Sequence, residues 1–319
     1  MTNPFRLGII IVNYRTAELV IDCLQSLNLP AVLPDGTQIV VVEGGSSDNS
    51  ARLIGEAIVS NGWSDRTALL SLERNGGFAF ANNRGLEHLR ARHGEPEYVL
   101  FLNPDTVVRP RAITELLAYV VQMPSVGIAG SRLEDFDGTP QACAFRFPSA
   151  AAELESEARI GVISRLLSPW RVVPDIGEEA LRVDWVSGAS MMVRSRVLQE
   201  VGSFDEEYFL YFEEVDLCRR AARAGWECHH VPTSRVVHLV GQSTGVTRRD
   251  IRLPRRPSYW FRSRNLYFRK HHRASYRLIA NISWIMGHLA YRTRHLVLRR
   301  RSDLPPHLLT DFLRHSLQR

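Results

Sequence analysis

Cysteine is scarce in this chain: Cys23, Cys143, Cys218 and Cys228 are the four in 319 residues. Their spacing is irregular and contains no C-x-x-C, so zinc and dithiol redox motifs find no support, and a reduced, cytosolic setting fits best. Long apolar runs are also missing. The longest late one, "LIANISWIMGHLA" at 278–290, is too short for a comfortable membrane span and carries Asn281 and His288. A single basic residue precedes the short apolar run at the N-terminus, which fits a buried strand better than a signal peptide. No G-x-G-x-x-G follows that run, which disfavours a dinucleotide-binding Rossmann unit. No low-complexity stretch stands out, and 45% hydrophobic with 23% charged residues is ordinary for a globular chain with a sizeable core.

Charge is present but unevenly spread. The net charge of +6 divides into a front and a tail of opposite sign. Residues 246–319 hold roughly 18 Lys and Arg against 3 Asp and Glu, whereas residues 1–245 hold about 22 against 31. A basic tail implies an anionic partner: a membrane surface, a nucleic acid or an acidic protein.

"LGIIIVNY" (7–14), "QIVVVE" (38–43), "ALLSLE" (68–73) and "EYVLFLNPD" (97–105) read as buried strands. Helical spacing falls between them at 17–27, 50–62 and 78–94, the second closed by Gly62. Such alternation predicts right-handed βαβ units and a mainly parallel sheet, that is, an α/β fold. Polar clusters follow each strand, at the carboxyl ends where ligands bind such sheets. They are "NY", "EGGSSD", "RNGG" and "NPD". The section 131–182 reads as less regular, an insertion or lid. "VDWVSGASMMVRSRVL" (183–198) returns to strand character, a helix starts near Glu213, and "ECHHVPTSRVVHLV" reads as one or two short strands. Arg-rich helical segments follow from about 245.

"FLYFEEVDLCRR" (209–220) sets Glu213, Glu214 and Asp216 directly after an aromatic run. Acids in a first helical turn suit the macrodipole, and Asp216 can pair with Arg220 at i,i+4. An apolar wall beside a carboxylate would also raise its pKa and make it a usable base. Asn103-Pro104-Asp105 is either an ordinary turn or a mount that aims Asp105 at Mg²⁺ or Mn²⁺. His238, among valines, is either a satisfied core residue or a second metal ligand.

Taken in order, "IIIVNYR", "VVEGGSSDNS", "ERNGGFAFANNRGL", "FLNPDTVV", "DWVSGASMMVRSRVLQEVGSFDEEYFLYFEEVDLCRR" and "VPTSRVVHLVGQST" resemble an inverting family 2 glycosyltransferase of the rhamnosyltransferase-like branch. The resemblance runs over most of residues 7–245. It implies a GT-A fold, a nucleotide-sugar donor, a divalent metal on the diphosphate and inversion at the anomeric carbon. By position, Asp105 falls at the last acid of a D-x-D-type motif written here as N-P-D, and His238 at a late metal-binding histidine. Asn13 and Glu43 fall where nucleobase and ribose are held. Asn75, Asn83 and Asn103 fall on the donor side, Trp185, Gly188 and Glu213 on the acceptor side, and Glu214 at the catalytic base. Two positions depart from the pattern: Glu43, followed by Gly44, and Glu214 each stand where the family usually has Asp.

The resemblance thus implies a GT-A catalytic domain at 1–245, with a donor half to about 130 and an acceptor half beyond it, and a basic helical region at 246–319. The expected activity is transfer of L-rhamnose from dTDP-L-rhamnose to a glycan or polyprenyl-linked acceptor in cell-envelope polysaccharide assembly. Alternatives are another UDP- or dTDP-sugar, or a non-catalytic nucleotide-sugar or nucleic-acid binder. No recognised nucleic-acid motif accompanies the basic tail, so no nucleic-acid partner is expected. The expected location is cytoplasmic, peripheral on the inner face of the membrane, with the tail on anionic lipid, joining copies of the chain, or packed on the catalytic domain with its arginines solvated.

Overall fold

The computed structural model describes residues 6–29, 32–239, 254–299 and 301–316. The first part of the chain alternates as the sequence predicts: β1 (Leu7–Asn13), α1 (Ala17–Leu27), β2 (Thr37–Glu43), α2 (Ser50–Ser60), β3 (Thr67–Ser71), α3 (Phe78–His93) and β4 (Tyr98–Leu102). Then come β5 (Thr106–Val108), α4 (Ala112–Gln122), β6 (Val126–Glu134), β7 (Ala144–Phe145), α5 (Ala150–Ala158), α6 (Gly161–Leu166) and a 3₁₀ turn at Ser168–Trp170. The acceptor-side segments are β8 (Leu181–Val183), β9 (Trp185–Val186), β10 (Ser190–Arg194), α7 (Ser195–Val201), α8 (Glu213–Arg223) and β11 (Glu227–His238). Three helices close the chain: α9 (Ser258–His271), α10 (Ala274–Val297) and α11 (Leu308–Ser316).

Nine strands form one sheet in the order β3-β2-β1-β4-β10-β6-β11-β5, with β8 also on β11. It is an α/β sheet of GT-A type and mainly parallel. β1 to β4, β6 and β11 share one direction, while β5, β8 and β10 run against it. β1 up to Val12 and the whole of β4 are apolar because both sheet faces are covered. One layer packs Val20, Leu24, Ile113 and Leu116 of α1 and α4 below the sheet, and the other packs Leu86, Leu89 and Leu217 of α3 and α8 above it.

The register decides where the site lies. Asn13 pairs with Glu43, and Ile11 with Leu102, so β1, β2 and β4 all end at one edge. β10 runs against β4 with Ser190 opposite Leu102, so Ser187–Ala189 enter at that edge too. His238, the last residue of β11, lies opposite Thr106, which brings it to Asp105.

The middle section is more regular than its sequence reads. β6 runs on to Glu134, and α5 starts with Ser149 as its cap, Oγ accepting from the Ala152 N–H at 3.2 Å. "ECHHVPTSRVVH" is one strand of 12 residues, with a register shift between Val231 and Arg235. The expected boundary near 245 lies outside the described residues. Beyond it, α9 and α10 are docked on the α/β unit through α5. Arg264 of α9 is fully buried, pairing with Glu153 at 3.0 Å and donating to Asn281 Oδ1 at 2.8 Å. Trp284 stacks on Phe312 of α11 with centroids 3.8 Å apart. Among the described residues no helix is long and apolar enough to cross a membrane.

Candidate active site

A cavity of about 770 Å³ opens at the carboxyl edge of the sheet. Asn13, Asn103, Pro104 and Asp105 from the ends of β1 and β4 line it together with His238 from the end of β11, and Gly188, Ala189, Glu213 and Glu214 complete the wall. Every polar strand end that the sequence singles out thus converges here, save the carboxylate of Glu43.

Asn13 is buried and divided in its work. Its Oδ1 accepts from Thr16 N–H and Oγ1–H at 3.1 and 3.0 Å, which fixes the entry to α1, while its Nδ2 has no hydrogen-bond partner at the cavity wall. Glu43 points into the turn after β2, where it accepts from the N–H groups of Gly45 and Ser46 at 3.2 and 2.9 Å. Gly44, not Glu43, borders the cavity. Asn75 lines it and accepts from Gly77 N–H at 2.9 Å. Asn83 stands off the wall: its amide donates to Phe204 O and Glu206, both at 2.9 Å, and ties α3 to the segment before α8. Trp185 is also behind the wall. It donates to Arg146 O at 2.9 Å and stacks at 4.1 Å on Phe145, which does line the cavity.

The turn into α8 is strained. Tyr211 and Phe212 have φ of 69° and 70°, the left-handed region that bulky residues avoid. Two neighbours hold it. Phe78 N–H donates to Phe209 O at 2.8 Å, and Ser263 Oγ of α9 donates to Leu210 O at 3.0 Å. Gly77 makes the first contact feasible, since a Cβ there would lie 2.2 Å from Phe209 O. The glycines of "RNGG" thus allow close approach of backbone to backbone.

The strained turn delivers Glu213 and Glu214 to the cavity with one oxygen each, Oε2, buried and without a hydrogen-bond partner. Burial pushes the Glu214 carboxyl up to about 7, partly offset by N–H groups of the helix start. Burial and then the charge of Glu214 push Glu213 well above the ordinary range. Two raised carboxyls side by side titrate as a pair, and sharing one site disfavours charge on both at once.

In the same cavity, His238 Nε2 lies 3.5 Å from Asp105 Oδ1. Among the described lining residues there is no Lys or Arg. Nor is there, among the described residues, a cluster of three or more His, Cys, Asp or Glu able to hold a metal. A carboxylate and an imidazole supply two donors, which suits a divalent ion that takes its remaining ligands from a bound diphosphate and water. An anionic ligand in a cavity walled by acids needs such a cation, so the residues present fit one.

Sequence reasoning missed Tyr259. It comes from α9, lines the cavity, and lies 5.6 Å from Phe209 and 6.0 Å from Tyr211 between ring centroids. Tyr259 sits in the run Tyr259-Trp260-Phe261, and no local spacing tells that this run folds back against the turn before α8.

A mainly parallel sheet with acids, a histidine and asparagines gathered at its carboxyl edge defines a GT-A glycosyltransferase. The model of the family described as glycosyltransferase-like family 2 matches residues 4–270, and the chain belongs to that family. It is similar to N-acetylglucosaminyl-diphospho-decaprenol L-rhamnosyltransferase of Mycobacterium tuberculosis, at 29% identity over 92% of this chain and 93% of that protein. It is also similar to the rhamnosyltransferase WbbL of Escherichia coli, at 29% identity over 51% of this chain and 60% of that one. A mannosyltransferase of Pyrobaculum calidifontis, solved with GDP-Man and Mn²⁺, shares the fold with a TM-score of 0.58 at 14% identity, over 97% of this chain and 79% of that one. The protein is a family 2 glycosyltransferase.

Proposed function

We propose that this enzyme transfers L-rhamnose from dTDP-L-rhamnose to a lipid-linked glycan acceptor, in one inverting, metal-assisted displacement. The observation that carries the reading is the gathering in one cavity of two pairs, Asp105 with His238 and Glu213 with Glu214. The rhamnosyl and lipid-linked parts are supported by the similarity to the mycobacterial N-acetylglucosaminyl-diphospho-decaprenol L-rhamnosyltransferase, which covers nearly the whole chain.

In this reading residues to about 130 hold the donor and those from 131 to 245 the acceptor. Asn13, through its unused Nδ2, and the Gly44 turn braced by Glu43 receive the nucleoside. Asn75 and Asn103 border the diphosphate. Asp105 and His238 would hold Mg²⁺ or Mn²⁺, which when bound supplies the positive charge that the leaving diphosphate needs. Gly188 leaves room beside Glu214, where an added Cβ would sit 3.9 Å from the Glu214 Cβ. The acceptor hydroxyl loses its proton to Glu214 as its oxygen bonds to the anomeric carbon. The bond from that carbon to the phosphate oxygen breaks on the opposite face, and the nucleoside diphosphate leaves with the electron pair. Glu213 borders the acceptor side next to Glu214. Trp185 and Asn83 hold the wall from behind.

A donor screen tests this, by following nucleoside diphosphate release without acceptor. The expected result is slow hydrolysis of dTDP-L-rhamnose that stops in excess chelator and returns with Mn²⁺ or Mg²⁺. Hydrolysis of a different nucleotide sugar with dTDP-L-rhamnose inert would overturn the donor, and full activity in chelator would overturn the metal.

A further inference from the structure

Helix α10 is apolar on two sides. One side is buried: Ala280, Trp284, Gly287 and Tyr291 pack inward, and a Cβ at Gly287 would lie 2.8 Å from Leu154 O of α5. The other side is open. Leu278, Ile279, Ile282, Met286 and Leu289 are exposed, Leu278 and Met286 by 57% each, and Leu296 and Val297 extend the series at 80% and 74%. At ~100° per residue these seven positions fall within about a third of the helix circumference, opposite the buried side. The stripe is therefore a continuous face and not a scatter of single exposed residues.

The charge around this face says what covers it. No Asp or Glu occurs between Ile251 and Ser302. α10 carries Arg277, Arg292 and Arg294, and Arg299 follows its end. Arg292 is exposed and borders the apolar stripe. Two copies of the chain meeting through this face would bring acid-free, Arg-bearing helices against one another, and like charges would oppose the contact. An anionic surface has the complementary sign, and Arg stems can lie along apolar surface while their heads stay in the headgroup layer. The helix has no length of apolar residues able to cross a bilayer, so it would lie in the interface plane.

We propose that the outward face of α10 is a docking surface for an anionic lipid bilayer. This concerns where the enzyme works and goes beyond the transfer reaction. α10 is joined to the cavity by short steps: α9 precedes it directly, and α9 supplies Tyr259 to the cavity wall. Docking there would hold the acceptor side at a fixed height over the membrane.

Flotation of the full-length enzyme tests the surface, with vesicles of phosphatidylcholine alone or mixed with phosphatidylglycerol. The enzyme is expected to float with the mixed vesicles only, and to be released near 1 M salt, where the Debye length is about 3 Å. The double variant Ile282→Asp, Met286→Asp should lose flotation and keep wild-type donor hydrolysis. Flotation unaffected by the double variant, or absent for wild type, overturns the proposal. So does a dimer by light scattering that the double variant converts to monomer, because it assigns the face to a second copy. Donor hydrolysis is read in solution, so failure of the docking surface and failure of the proposed reaction remain separate results.

Discussion

Glu213 and Glu214 open α8 on its cavity side, while Asp216, two positions on, opens it towards α9. Glu213 and Asp216 are buried and Glu214 is half-buried, yet the surroundings of the two glutamates and of Asp216 are opposite. The two glutamates meet aromatic rings and each other, and each leaves one oxygen without a partner. Asp216 is fully enclosed by donors: Arg220 Nε at 2.7 Å, His271 Nε2 at 2.7 Å, Lys270 Nζ at 2.8 Å and, more weakly, Tyr208 Oη at 3.5 Å. Burial alone would raise its pKa, but the bonds from His271, Lys270 and Arg220 overcome that and hold the carboxyl well below the aspartate range. Lys270 is the chain's single lysine. One carboxylate is thus satisfied so that the helix start is fixed, and its neighbours are left hungry at a fixed place. The first is the condition for stability, the second for reactivity.

The largest effect should come from breaking the satisfied side. Asp216→Asn leaves Lys270 and Arg220 beside a neutral group, and losing one member of a buried ion cluster costs about 3–5 kcal/mol. The lower end is expected, about 3 kcal/mol, since Lys270 keeps 31% of its side chain exposed and can turn to water. The folded-state pKa of Asp216 lies below its unfolded value. Its contribution is therefore present at neutral pH and lost as pH falls through and below the ordinary aspartate range. Urea unfolding at neutral and acid pH should show the gap between variant and wild type closing on acidification. Equal stability at neutral pH would mean that the cluster does not hold α8.

Glu214→Gln should do the reverse, leaving stability intact or improved and cutting turnover by about 10²-fold or more, the usual scale for losing a general base. In the wild type, turnover should fall about tenfold per pH unit below about 7, because Glu214 acts only when ionised and its carboxyl is raised to about 7. An ordinary glutamate would give a flat profile down to about pH 5. Glu213→Gln should keep that acid limb near 7, since burial is the leading cause of the Glu214 shift. A limb that vanishes in Glu213→Gln and persists in Glu214→Gln would move the base by one residue.

Much of this was legible in the chain, and the illegible parts have a common cause. The strands and helices to Leu102 follow from local periodicity, and the polar strand ends follow from the rule that parallel strands share a carboxyl edge. The link of Asp216 to Arg220 is an i,i+4 relation and is visible in the string. His271 and Lys270, 55 and 54 positions on, are not, because nothing local tells which face of α9 turns inwards. Glu43 and Asn83 stand back from the cavity for the same reason: both are polar residues near strand or helix ends, but neighbouring backbone and a distant segment consume their hydrogen bonds. Sequence shows which residues could serve a site, and only the fold shows which have already been spent.

The smallest expected effect concerns the seam between these two sides. Tyr259 lies on α9, the helix that also carries Lys270 and His271, but it faces the cavity beside Phe209 and Tyr211. Its hydroxyl is pushed above the ordinary tyrosine range by burial, so at neutral pH the ring is uncharged and offers an apolar face with a donor at its tip. Acceptor sugars stack on such faces, and the contact is the same before and during transfer. Tyr259→Ala should therefore raise the acceptor KM several-fold, about 1 kcal/mol, with kcat and donor hydrolysis little changed. Tyr259→Phe should restore most of the affinity if stacking dominates and little if the hydroxyl does. A fall in kcat for Tyr259→Ala with unchanged KM would show that α9 acts on the placement of Glu214, and would merge the two sides of α8 into a single device.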